Sequence, residues 1–261
     1  MKLKEITDCI ETVAPLAFQE SYDNSGLLIG NKNTDIKGIL ICIDCTEEIV
    51  DEAIQRKCNL IVAHHPIIFD GLKQITGKNY VERTVLKAIK NDIAIYAAHT
   101  NLDNVSNGVN KKIANKIGLK NTEILVPKNN FSNVGSGMIG EISKKEKANL
   151  FLKKLKQTMQ TDCIRHTSFS ENIFIKKVAI CGGSGSFLLD DAISARADIF
   201  ITADFKYHQF FDAENKLIIA DIGHYESEQF TKELFYDILI EKFPKSVLHL
   251  SKINTNPINY L

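Results

Sequence analysis

Two adjacent histidines, His64 and His65, stand between an apolar run and a proline in the segment IVAHHPIIF. Imidazole titrates near neutral pH and is the commonest metal ligand in proteins, so the pair offers either metal binding or proton transfer. Neighbouring strand residues normally face opposite ways. Pro66 imposes extended geometry on His65 and ends ladder donation, which sets both rings where a strand leaves its sheet. One core and one exposed histidine would satisfy the same pattern. A second group lies in AAHTNLDNVSNG, where His99 and Asp103 share one turn-rich loop. Asp103 there serves equally as a helix N-cap or as a metal ligand. In the third, ADIGHYESEQF, His224 and Glu228 are four residues apart. A helix beginning near Tyr225 would bring imidazole and carboxylate to one face, able to grip one ion or to bridge two. A first-turn glutamate also offsets the helix dipole, a role that suits Glu226 better.

Two more segments carry polar groups at apolar strand ends. AICGGSGSFLLDDAI reads as strand, glycine-rich turn and helix, an arrangement that serves either as a tight turn or as a phosphate cradle. It is no dinucleotide fingerprint, because Leu188 occupies the third glycine position, and it has neither a Walker lysine nor a nucleophile elbow. TADFKYH adds Asp204, Lys206 and His208. His224, Tyr225 and Glu226 spell the H-x-E of zinc nucleobase deaminases, yet the P-C-x-x-C that completes such a site is missing.

The positioning elements alternate. Strands are expected over 38–44, 59–65, 93–99, 178–183, 199–204 and 217–224, each rich in Ile, Val and Ala. Helices are expected over 47–56, 80–91, 108–117, 187–197 and 226–241, where apolar residues recur at three- and four-residue spacing. The pattern is α/β: two α/β lobes with mainly parallel sheets flanked by helices. The turn-rich stretch VPKNNFSNVGS divides the chain into lobes 1–127 and 128–261, with the C-terminal part free to pack back on the first. A lysine-rich amphipathic helix is expected over 144–160, its charges solvated. Open α/β sheets bind ligands at strand carboxyl ends, so four such ends bearing His, Asp or Glu point to one crevice of metal ligands.

Composition excludes other classes. The 261 residues are 44% apolar and 25% charged, which is a globular average. Thirty-two basic residues balance thirty-two acidic ones, so no charge excess supports nucleic-acid or membrane-surface binding. The N-terminus has no unbroken apolar h-region, and the cytoplasm is the expected compartment. Six scattered cysteines fit reduced, buried thiols.

Taken in order, SYDNSGLLIG, AHHP, HTNLD, GGSG, TADFKYH and GHYESE resemble the NIF-three-like proteins, also called GTP cyclohydrolase I type 2. The resemblance runs from about Tyr22 to Glu228 and lacks the middle insert of longer relatives. Tyr22 stands where many relatives have Trp, and Ala203 where Gly is usual. The resemblance implies two divalent metal ions (zinc, iron, manganese or nickel) in the cleft between the two lobes, held by His64, His65, Asp103, His224 and Glu228, with Glu228 bridging. It also implies a toroidal homohexamer, a trimer of dimers. For function it implies a di-metal hydrolase converting GTP to dihydroneopterin triphosphate and formate, with His99 and His208 as proton shuttles or as supports for the ligands. A two-metal phosphoesterase or nucleotide hydrolase uses the same ligands. A non-catalytic metal-binding regulatory assembly is the reading from another class.

Overall fold

Leu3, Ile6, Cys9 and Ile10 recur at helical spacing and are buried, which makes Leu3–Val13 an amphipathic helix, α1. Strands β1 (Gly26–Ile29), β2 (Ile39–Cys42), β3 (Leu60–Ala63) and β4 (Ala94–Ala97) follow. Every residue of β2, β3 and β4 is buried, as apolar strands covered on both faces require. Between them, α2 (Glu47–Gln55) is capped by the Thr46 hydroxyl and α3 (Tyr80–Lys90) by the Asn79 side chain. A short helix, α4 (Thr100–Asp103), ends this part. The computed structural model describes residues 1–128 and 131–261.

Glu82, in the first turn of α3, accepts hydrogen bonds from the Thr76 amide and hydroxyl at 2.8 Å each and from the Lys78 amide at 3.2 Å. These donors, the Thr76 amide foremost, hold its carboxyl down at about 2. An unfolded glutamate titrates near ~4.3, so this contribution is complete above that pH and is lost as pH falls toward the folded value. In urea denaturation the stability gap between wild type and Glu82→Gln is expected to be widest at neutral pH and to shrink below about pH 4.3. A gap constant down to pH 2 would contradict this role.

Helix α5 (Val109–Ile117) stops at Gly118, whose φ of 78° only glycine adopts easily. Strands β5 (Lys120–Pro127) and β6 (Gly135–Lys147), helix α6 (Ala148–Thr158), strands β7 (Arg165–His166) and β8 (Phe174–Ser184) and helix α7 (Leu189–Ser194) come next. Strands β9 (Ile199–Ala203) and β10 (Ile218–Asp221) and helix α8 (His224–Glu228) complete the second part. Its six strands are ordered β5-β6-β8-β9-β10-β7. Only β8–β9 and β9–β10 pair in parallel. The other three pairings are antiparallel, so this sheet is mixed rather than mainly parallel.

The chain then forms α9 (Thr231–Lys242) and β11 (Leu248–Leu250), completing a first sheet of order β1-β4-β3-β2-β11. That sheet is mainly parallel, with β1 alone running against its neighbour. Two units result: Met1–Leu102 with Thr231–Pro257, and Asp103–Phe230 with Ile258–Leu261. The units therefore divide at Leu102/Asp103 instead of at 127/128. The turn-rich stretch expected to separate lobes joins β5 to β6 within one sheet, and its residues 129 and 130 lie outside the described residues. The expected helix over 226–241 is two pieces, α8 and α9, parted at Gln229 and Phe230. Residues 144–147 of the lysine-rich segment belong to β6, and α6 buries Phe151, Leu152 and Leu155. All six cysteines are free, five of them buried. Among the described residues no helix is long and apolar enough to cross a membrane.

Candidate metal centre

The first unit gathers three imidazoles. The amides of His64 and His65 both reach the Ile43 carbonyl, at 3.1 and 3.0 Å, just past the end of β3. The chain leaves the sheet there, as Pro66 requires. Ring centroids of His64 and His65 lie 4.9 Å apart, and each is 5.4 Å from the ring of His99, which follows β4. His64 and His65 each offer a ring nitrogen within 4.8 Å of the other's.

Each of the three rings is held through Nδ1. His64 Nδ1 lies 2.9 Å from the Ala98 carbonyl, His65 Nδ1 2.7 Å from Asp44 Oδ1, and His99 Nδ1 2.8 Å from Asp23 Oδ1. A carbonyl oxygen only accepts, so His64 donates from Nδ1 and carries its lone pair on Nε2, the tautomer a metal ligand needs. The carboxylates are themselves anchored. Asp44 accepts from the Thr255 hydroxyl at 2.6 Å, and Asp23 from the Thr100 amide and the Ser25 hydroxyl. Burial would raise the pKa of Asp23, but His99, Thr100 and Ser25 override it and hold the carboxyl far below the usual range. Asp44 is lowered by His65 and Thr255 against the same burial effect.

The second unit supplies carboxylates. On α8, His224 Nε2 is 3.1 Å from Glu228 Oε2, one helical turn apart, while His224 Nδ1 is 2.7 Å from Asp204 Oδ2. Glu228 is 2% exposed. Burial would lower the His224 pKa, yet the charges of Glu228 and Asp204 push it up to about 11. A carboxylate oxygen thus stands at each of the two ring nitrogens, surroundings that favour positive charge. Asp103 closes α4, and its carbonyl accepts from the Asn110 side chain at 3.1 Å. The Cys181 thiol at the end of β8 is pushed up by burial first, then by the charges of both Asp103 and Glu228.

The glycine-rich turn seats Glu228. A Cβ on Gly183, whose φ is +62°, would run into Glu228 Oε1 and come 3.2 Å from His224 Cε1. The Gly182 and Gly183 amides donate to Asn110 Oδ1 and Ser227 Oγ, both at 2.9 Å. Those two donors serve the protein, which favours the tight-turn reading over a phosphate cradle.

A family model described as Duf34/NIF3 (NGG1p interacting factor 3) matches residues 1–257. The chain belongs to the Duf34/NIF3 family. Relatives called GTP cyclohydrolase 1 type 2 homolog include one from Clostridium acetobutylicum, 31% identical across 98% of this chain and 94% of its own. Another, from Clostridium perfringens, is 37% identical across 87% of each chain. A crystal structure of a Bacillus cereus protein related to NIF3 superposes with a TM-score of 0.91 at 26% identity, covering 100% of this chain and 99% of that one. The NIF3 fold, mixed α/β with two sheets flanked by helices, is therefore the fold of this protein.

Within this NIF3-family chain, His and carboxylate groups that can ligate a divalent ion stand at strand carboxyl ends in each unit, as the motifs indicate. His99 joins His64 and His65 in the first unit. His208 is solvent-exposed on the 3-10 turn Tyr207–Ala213, its ring beside those of Tyr207 and Phe211. Sequence reasoning gave no role to Asp23 and Asp44 and left Asp204 as a polar residue without a partner. A signal existed for two of them, since Asp44 and Asp204 stand just past the apolar strands β2 and β9. Asp204→Asn is expected to weaken divalent-metal binding roughly 10- to 100-fold by releasing the His224 ring. Isothermal titration with Zn²⁺ measures this, and unchanged affinity would count against the support role.

Proposed function

We propose that His64, His65, Asp103, His224 and Glu228 together hold two divalent metal ions and that the protein is a metal-dependent hydrolase acting on GTP. The donor set fits such ions: imidazole nitrogens with buried carboxylates, the histidine rings held from behind by a carbonyl or an aspartate, suit zinc, iron, manganese or nickel. When bound, paired ions acidify water toward neutrality and stabilise developing oxyanion charge. The observation that carries the reading is the His224–Glu228 pair at 3.1 Å with Asp204 behind it. The names of the curated relatives supply the substrate.

The chain's own residues have definable tasks in this reading. Asp44 and Asp204 hold His65 and His224 in orientation. Asp23, kept ionised, fixes His99 through Nδ1, so that Nε2 is the atom that takes and returns a proton during addition of water at guanine C8 and loss of formate. His208, exposed on the 3-10 turn that follows Asp204, is a second proton carrier in this reading. A homohexamer, a trimer of dimers, belongs to the same reading and rests on family membership. Sedimentation would then give six times the 29.3 kDa chain mass.

Formate release from GTP by metal-loaded protein is the test. Turnover that vanishes in Glu228→Ala supports the reading; no formate above that control overturns it. Phosphate release from GTP or from simple phosphoesters without formate would identify the phosphoesterase instead.

A further inference from the structure

A cleft of about 500 Å³ opens in the second unit, between the 3-10 turn Tyr207–Ala213 and the edge strand β7. Its volume lies in the range that encloses a small organic ligand. The first wall is aromatic. Tyr207 and Phe211 are 74% and 65% exposed, far more than large rings in a packed core, and stand edge to face at 5.7 Å. Phe210 carries the Arg165 guanidinium 5.6 Å above its ring. Polar groups line the cleft as well, among them Thr167 and Ser168 beyond β7, and Asn215.

Charge narrows the ligand. Arg165 brings a guanidinium to the cleft, paired with the buried Asp221 carboxylate and donating to the Phe205 carbonyl at 3.2 Å, and beside it the His166 ring is held through Nδ1, 2.9 Å from the Thr167 carbonyl. Glu214 is likewise paired, to Lys216 at 2.6 Å. A cleft whose charges are already matched is poorly suited to gripping a triphosphate and well suited to a flat, uncharged ring with a polar edge. Aromatic faces stack such rings, and amide and hydroxyl groups read their edges.

We propose that this cleft binds the heteroaromatic base of a nucleotide, packed against the Tyr207 and Phe211 rings, face to one and edge to the other, with its polar edge toward Thr167, Ser168 and Asn215. The placement rests on the hydrolase reading for its link to chemistry: the turn bearing both rings begins three residues after Asp204, the carboxylate that holds His224. Base binding and ligand positioning therefore share one short segment, Asp204 to Phe211.

The test uses the full chain after chelator treatment, so that binding is read without turnover. Equilibrium dialysis with guanosine, and with ribose 5-phosphate as a probe lacking the base, is run on wild type, Tyr207→Ala, Phe211→Ala and, as a control with an equally exposed ring away from the cleft, Phe187→Ala. Guanosine binding is expected to weaken roughly tenfold in each cleft variant. It should be unchanged in Phe187→Ala, and ribose 5-phosphate should not compete. Both cleft rings are at the surface, so the variants should keep the wild-type melting temperature. Equal guanosine affinity in wild type and both cleft variants would overturn the assignment, as would no binding of guanosine to wild type. Failure of the hydrolase reading looks different: guanosine binds and depends on Tyr207 and Phe211, but no formate is released.

Discussion

Glu228→Ala protein is expected to fold yet to lose at least roughly 100-fold in divalent-metal affinity, and GTP turnover with it. Glu228 is buried, it sits 3.1 Å from His224, and the Gly183 turn is shaped around its carboxylate. In the metal-free protein the substitution removes one of the two anions that clamp the His224 imidazolium, so the His224 pKa should drop from about 11 toward the ordinary imidazole range. Elemental analysis of protein purified without chelators measures the metal loss, and NMR titration of the His224 ring measures the second effect. Wild-type metal content in Glu228→Ala would remove Glu228 from the ligand set.

Gly183→Ala should be nearly as damaging, through backbone and packing instead of lost ligation. A φ of +62° costs an L-residue roughly 1–2 kcal/mol. The added methyl then meets the Glu228 carboxylate, which must move or carry the turn with it. Gly118 supplies the comparison. It also has a positive φ, 78°, but a Cβ there meets nothing within 4 Å. Gly118→Ala should therefore cost only the backbone share and leave metal binding intact. Urea denaturation and Zn²⁺ titration of both variants separate the two effects. Equal metal affinity in Gly183→Ala and Gly118→Ala would show that the turn does not seat Glu228.

Some of this was readable from the chain alone because the physics is local. Strands β2, β3 and β4 are buried on both faces, so their residues form unbroken apolar runs, and the histidines that end such runs mark the ligand-binding edge. The antiparallel strands β5 and β6 were hidden, since solvent reaches much of them and they read as polar segments. Helix α1 was hidden by the charged Lys4, Glu5, Asp8 and Glu11, although its buried stripe is regular. The unit boundary was misplaced for a related reason: proline, asparagine and glycine signal a turn without telling a hairpin from a linker.

The support carboxylates were the least legible. Asp23 meets His99 across 76 residues, Asp44 meets His65 across 21 and Asp204 meets His224 across 20. No spacing rule covers such pairs, because they form only when separate strand ends are brought to one edge. The i, i+4 relation of His224 and Glu228 is the exception, set by helix geometry and visible in sequence.

Anomalous X-ray diffraction from crystals of natively purified, chelator-free protein tests the central claim most directly. Two peaks are expected, with His64, His65, Asp103, His224 and Glu228 supplying ligand atoms at about 2.0–2.2 Å. Peaks held by other residues, or these five side chains well ordered around no anomalous scatterer, would contradict it.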